Sequence, residues 1–239
     1  MVDIGKILKD AIESTKETPV IQWNDPTWAE KVNLDPEFST YMNNHVIDGP
    51  GGGKRRHGYF ALLSNIVSNL PPNTSICELG NREGLSTLAI LDAMSDTHTF
   101  VTIDVVEDLR FLPYERVNQM IEDGSVFVVT GNCIHPKTLS LVSNNLSAWP
   151  SNKNVSLLFC DTIHVYDQLQ AEFDAYEKFL CDEAIILVDD IQDDYTHEDA
   201  QMHRTKYRFF EEWDGEKYDL TELCHDPSGF AAFVYRRKK

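Results

Sequence analysis

The sequence predicts an α/β fold: a mixed seven-stranded sheet with helices on both faces, a C-terminal antiparallel hairpin and a helical N-terminal cap. Three observations carry this expectation. The chain has 239 residues, 42% of them hydrophobic, enough to bury a core in one large domain or two small ones. From Ser75 onward, short β-rich runs alternate with segments of helical periodicity, the pattern of a parallel sheet covered on both sides. The last two β-rich runs break that rhythm, because only the turn-rich loop 225–229 (His-Asp-Pro-Ser-Gly) separates them, which suits an antiparallel return.

At the N-terminus, Ile4, Ile7, Leu8, Ala11 and Ile12 recur at helical spacing among Lys and Asp, and read as a structural helix. The unbroken apolar block of a secretion signal is missing. Residues 1–58 are read as the helical cap and a Gly-rich loop, and residues 59–239 as the main domain. The loop runs Asp48-Gly-Pro-Gly-Gly-Gly-Lys-Arg-Arg-His57. Its Gly-Lys pair invites a phosphate-loop reading, but Asp48 stands where that motif needs its first Gly and Arg55 where it needs Ser or Thr. A linker or a mobile lid over a site both remain open.

The five expected sheet strands are Ser75–Glu78, Thr99–Asp104, Val126–Gly131, Val155–Asp161 and Ala184–Asp190, each continuously apolar as a strand buried on both faces must be. Leu85–Met94, Tyr114–Ile121, Thr138–Leu146 and Val165–Leu180 have helical periodicity between them. Tyr218–Cys224 and Phe230–Tyr235 complete seven strands as the hairpin.

Composition narrows the function. With 39 Asp+Glu against 21 Lys+Arg, the net charge is -18. Such a chain is repelled by nucleic acid and anionic lipid, so neither is expected as a partner, and a small molecule becomes the favoured substrate class. The longest apolar run is Phe230 to Tyr235, far short of the ~20 residues of a membrane-spanning helix. Cys77, Cys133, Cys160, Cys181 and Cys224 are odd in number and form no C-x-x-C pair, which suggests neither a disulfide framework nor a zinc site and fits a reducing cytoplasm. A homo-oligomer is left open.

Two motifs carry chemistry. The first is Cys77-Glu78-Leu79-Gly80-Asn81-Arg82-Glu83-Gly84-Leu85-Ser86-Thr87, where the first strand turns into a helix. Gly80 permits a tight turn, and Gly84 lets a ligand approach the helix N-terminus closely. Glu78 and Asp104, each ending a strand, are placed to accept hydrogen bonds from ribose hydroxyls. Arg82 occupies the position of the middle Gly of a dinucleotide fingerprint, which disfavours a nicotinamide cofactor.

The pattern E-x-G-x-x-x-G-x-S-T, which includes Ser86, resembles motif I of class I S-adenosylmethionine-dependent methyltransferases. That resemblance implies a Rossmann-like sheet ending in an antiparallel hairpin. It also implies a cofactor site formed by Glu78, Gly80, Asn81, Gly84, Ser86 and Asp104, with Gly131-Asn132 near the adenine, Asp161 at its border and Tyr59 closing it.

The second motif is Asp161-Thr162-Ile163-His164-Val165-Tyr166, followed 28 residues after Asp161 by Asp189-Asp190. Both groups end consecutive expected strands, at the edge where open α/β sheets bind ligands. Three carboxylates on neighbouring strands repel one another unless they share a proton, face solvent or bind a cation. All-oxygen ligation by Asp161, Asp189 and Asp190 points to Mg²⁺, with Mn²⁺ or Ca²⁺ also fitting. His164, three positions past the first ligand, is a candidate general base.

Together the two motifs resemble those of the macrocin and mycinamicin type of sugar O-methyltransferase, over about residues 55–191. The resemblance implies that Asp161, Asp189 and Asp190 hold Mg²⁺, that His164 is the base, and that the methyl acceptor is a hydroxylated small molecule of the sugar or natural-product kind. One departure is Cys181-Asp182-Glu183, where many relatives carry Gly-Gly in a turn. An N-methyltransferase, a relative that keeps both sites without methylating, and a nicotinamide-dependent oxidoreductase are the alternatives.

Overall fold

The computed structural model describes residues 3–17, 58–82, 84–106, 115–147, 154–192, 206–224 and 228–238. The Gly-rich loop 48–57 lies outside them, as do the acidic residues 193–200. Seven strands form one sheet: β1 (Ser75–Leu79), β2 (Thr99–Asp104), β3 (Val126–Thr130), β4 (Val155–Cys160), β5 (Leu180–Asp189), β6 (Lys217–Asp219) and β7 (Phe230–Arg236). Their order is β3-β2-β1-β4-β5-β7-β6. The first five run parallel, and β7 is antiparallel to both of its neighbours. This is the expected Rossmann-like mixed sheet with its antiparallel end.

The helices are α1 (Ile4–Lys16), α2 (Gly58–Val67), α3 (Leu85–Ala93), α4 (Glu115–Glu122), α5 (Pro136–Ser147), α6 (Tyr166–Tyr176), α7 (Tyr207–Glu212) and α8 (Thr221–Cys224). Successive side chains of a strand point to opposite faces, and the core divides accordingly. On one face Ile76, Phe100, Leu157, Ile185 and Ala232 pack under α1, α2 and α3. On the other, Cys77, Val101, Leu158, Ile186 and Phe233 pack under α5, α6 and α7. The apolar stripe of α1 joins the first of these clusters through Ile4, Ile7, Leu8, Ala11 and Ile12, and Asp3 caps the helix by accepting the Lys6 N–H at 3.1 Å. The first helix is therefore built into the layer that covers the sheet.

Two local expectations are corrected. Tyr218–Cys224 is not one strand, because β6 stops at Asp219 and residues Thr221–Cys224 form a helical turn. The Asp219 carboxylate accepts the Thr221 N–H at 3.0 Å, a local side-chain bond that competes with extension of the ladder. The fifth strand begins at Leu180 and not at Ala184, because Cys181-Asp182-Glu183 is an irregular stretch within β5, where Val155 pairs with Leu180 but Leu157 with Ile185. The Arg237 N–H donates to Asp182 O at 2.8 Å, and the Arg237 guanidinium to Leu180 O at 2.7 Å, which pins that stretch to the end of β7. No described helix is long and apolar enough to cross a membrane.

Candidate functional site

The strand order turns outward in both directions from the β1/β4 pair, the topological switch point at which open parallel sheets form a crevice. The loop after β1 and the loop after β4 meet there. Gly80 has φ +86°, and a Cβ on it would lie 1.9 Å from Asp161 O. Only glycine fits, so the two loops are locked together by close backbone approach. The Asp161 N–H donates to Leu79 O, and the Gly80 N–H to Ile103 O, both at 2.8 Å.

Glu78, expected at a ribose, is wholly buried and committed to the protein. Its carboxylate accepts from Ser86 Oγ at 2.6 Å, Thr87 Oγ1 at 2.6 Å and Thr102 Oγ1 at 2.8 Å. Burial pushes its pKa up to about 7, against the pull of those three hydroxyl donors, and the nearby Asp161 charge adds to the rise. Glu78 and Ser86 are thus inside the scaffold of the turn, bonded to the protein itself. Glu78 fastens the start of α3 to β1 and β2.

Asp104 stands at the crevice as expected, and it also braces the turn. Its Oδ2 accepts the Asn81 N–H at 3.0 Å and the Arg82 N–H at 2.8 Å, while Oδ1 accepts the Val106 N–H at 2.9 Å. Asn81 is 5% exposed; its Nδ2 donates to Thr102 Oγ1 at 3.0 Å, but its Oδ1 is buried and has no hydrogen-bond partner among the described residues. An orphaned buried acceptor beside Asp104 fits a ligand that brings its own N–H or O–H donor, as S-adenosylmethionine does. Gly84, at φ +81°, is the N-cap of α3 and supplies no side chain to close the helix end.

Gly131 donates its N–H to Asp104 O at 2.7 Å, so the loop after β3 reaches the same edge. Asn132 is exposed, and its Oδ1 accepts the Ile134 N–H at 3.0 Å. Tyr59, half-buried on α2, stacks on Phe230 with ring centroids 5.4 Å apart and lies 6.4 Å from Phe159, next to the end of β4.

The acidic group assembles from β4 and β5, adjacent strands in which Cys160 pairs with Val188. Asp161, His164 and Asp190 each offer a ligand atom, and these atoms all lie within 4.8 Å of one another. His164 Nε2 is 2.8 Å from Asp190 Oδ2, and both side chains are mostly shielded, at 19% and 16% exposure. Asp189 is not a member of this group: it is 6% exposed, and its Oδ1 accepts the Asp190 N–H at 2.9 Å. Neighbours on a strand point to opposite faces. Asp190 lies just past the end of β5 at φ +56°, in the left-handed region.

Burial alone would raise the Asp190 pKa, but the hydrogen bond and charge of His164, the charge of Lys206 and a hydrogen bond from Ser228 together hold it below the usual carboxylate range. Two carboxylates and an imidazole at these separations fit a divalent cation. Mg²⁺ takes one or two carboxylates and keeps its waters, whereas Mn²⁺ also accepts imidazole.

Two residues were not singled out from sequence. Lys206, fully buried, donates from Nζ to Asp189 O at 2.9 Å. Glu172, also fully buried, accepts from Thr162 Oγ1 at 2.5 Å and Gln168 Nε2 at 2.8 Å, which ties α6 to the residue after Asp161. Helical spacing places Glu172 among the residues of α6 but gives no sign of burial; Lys206 follows an acidic stretch and reads as a surface charge. Burial raises the Cys77 and Cys160 thiols well above the ordinary value, and Cys133 to about 12, which disfavours their thiolate forms.

Comparison with known proteins agrees with this geometry. Residues 77–191 match the family model described as a methyltransferase domain. No curated protein matches the chain. Among solved structures, a SAH-bound methyltransferase of Podospora anserina is 13% identical, covering 100% of this chain and 99% of that one, with a TM-score of 0.57. A protein of Corynebacterium glutamicum is 16% identical, over 89% and 96% of the two chains, with a TM-score of 0.58. The O-methyltransferase of Bacillus cereus in complex with SAH is 15% identical, over 99% and 92%, with a TM-score of 0.54. At such identities the likeness is one of fold.

Proposed function

We propose that this chain, whose residues 77–191 match the family model of a methyltransferase domain, transfers a methyl group from S-adenosylmethionine to a hydroxyl of a small molecule with the help of a divalent cation. The observation that carries the reading is the meeting of Asp161, His164 and Asp190 within 4.8 Å, the first of which belongs to the loop that touches Gly80. Cofactor turn and acidic group thus share one crevice.

When bound, S-adenosylmethionine supplies an electrophilic methyl, and a divalent cation supplies Lewis acidity toward the acceptor hydroxyl. Asp161 and Asp190 would hold the cation, preferably Mg²⁺ or Mn²⁺, with Asp189 behind them as a support for the Asp190 N–H. His164 takes the hydroxyl proton, and the Asp190 carboxylate, 2.8 Å from Nε2, stabilises the imidazolium that results. Asp104 and the turn Gly80-Asn81-Arg82 orient the cofactor, and Glu78 keeps that turn in place from within. The crevice is walled by carboxylates in a chain of net charge -18, which favours a neutral hydroxylated acceptor, of the sugar or natural-product kind, over nucleic acid or a membrane surface.

The test is methyl transfer from labelled S-adenosylmethionine across a panel of hydroxylated small molecules, with Mg²⁺ and with EDTA. Asp161→Ala and Asp190→Ala should remove the EDTA-sensitive transfer while SAH still binds. Full activity in EDTA contradicts the role of the cation, and transfer confined to amine acceptors contradicts the role of the hydroxyl.

A further inference from the structure

Lys206 is an unusual residue for its place. Lysine is almost never fully buried unless paired, yet this one is 0% exposed and its Nζ makes its hydrogen bond to a backbone carbonyl, Asp189 O, at 2.9 Å. That carbonyl belongs to the peptide joining Asp189 to Asp190. The orientation of this peptide plane fixes ψ of Asp189 and φ of Asp190, and φ of Asp190 is +56°. For a residue with a side chain a left-handed conformation is unfavourable, less so for Asp than for most. Something must hold it there. In that conformation, just past the end of β5, Asp190 has its Oδ2 2.8 Å from His164 Nε2, within the three-residue group with Asp161.

We infer that Lys206 is a positioning residue: by gripping the Asp189–Asp190 peptide from inside the protein, it holds Asp190 in the left-handed turn and so assembles the pair with His164 and the cation site. Lys206 precedes α7, whose Phe209 is anchored in the core, so its backbone is held where the side chain can reach Asp189.

This inference rests on the proposed function for its consequence but not for its geometry, and the test separates the two. Lys206→Met keeps the length and apolar stem and removes both charge and donor. A crystal structure of the metal-free variant should show Asp190 out of the left-handed region and its contact with His164 lost. Titration of Mn²⁺ should show binding weakened tenfold or more relative to wild type, with SAH affinity unchanged. Lys206→Arg, which keeps a donor and the charge, should restore most of the Mn²⁺ affinity. Asp190 retained at positive φ against His164 overturns the inference, as does Mn²⁺ binding that is equal or tighter in Lys206→Met. If wild-type protein binds no Mn²⁺ at all, the cation reading of the site fails, and the metal-free structure still decides the role of Lys206. Should Lys206→Met not fold, Lys206→Leu takes its place: Asp190 released from the left-handed region supports the inference, and Asp190 held as in wild type overturns it.

Discussion

Glu78→Gln tests the claim that the acidic residue of the cofactor turn is a buried fastener. In the fold its pKa stands at about 7, against an ordinary 4.5, chiefly because burial penalises the charged form. A raised acid favours the fold most when protonated: its contribution is present in full below about pH 4.5 and is lost as the pH rises through about 7. Each pKa unit is worth 1.36 kcal/mol, so the loss between pH 5 and pH 8 is about 2–3 kcal/mol. Gln has the shape of the protonated acid and does not titrate. Urea unfolding of both proteins at pH 5 and pH 8 should therefore find the variant gaining about 2–3 kcal/mol on wild type across that interval. Titrations elsewhere in the chain cancel in the comparison. A stability difference that does not change with pH would refute the reasoning, and would mean that the donors Ser86, Thr87 and Thr102 keep Glu78 ionised throughout.

Other expectations follow from the same geometry. Gly80→Ala places a Cβ 1.9 Å from Asp161 O at φ +86°, and thermal unfolding should show a loss of about 3 kcal/mol or more, with weakened SAH binding in titration calorimetry. His164→Ala should lower kcat by roughly 10²–10⁴ if proton removal limits the rate, and an unchanged pH–rate profile would remove it from the chemistry. Tyr176→Phe deletes a buried hydroxyl that donates to Cys133 O at 3.0 Å, and should cost about 1–2 kcal/mol in urea unfolding while leaving cofactor affinity as it is.

The elements legible in the sequence were those whose pattern is set by burial. Strands β1, β2 and β4 are covered on both faces, so their apolar runs are continuous and their limits fall within a few residues of the observed ones. What misled were places where one hydrogen bond outweighs pattern. Residues 221–224 have the look of a strand, but the Asp219 carboxylate caps them into a turn. Cys181-Asp182-Glu183 lie before the expected strand, but the Arg237 contacts to Asp182 O and Leu180 O hold them in β5.

The site divides in the same way. That Asp161, His164 and an acidic pair end adjacent strands is a matter of chain order and was readable. Which member of Asp189-Asp190 joins His164 was not, since it depends on a positive φ that an Asp tolerates but does not announce. The burial of Glu78 was hidden for a similar reason: a carboxylate at a strand end looks exposed until Ser86 and Thr87, in the first turn of α3, fold back over it. The hydroxyl pair after Gly84 was the available signal, because two donors at the start of a helix can satisfy a buried acid.

The central claim is that one crevice holds S-adenosylmethionine and a divalent cation side by side, and paramagnetic relaxation tests it most directly. With S-adenosylmethionine carrying a ¹³C-labelled methyl bound to the protein, addition of Mn²⁺ should strongly broaden the methyl resonance, and Asp161→Ala or Asp190→Ala should abolish the effect while the cofactor stays bound. A methyl signal that stays sharp in the wild-type complex under saturating Mn²⁺ would contradict the account.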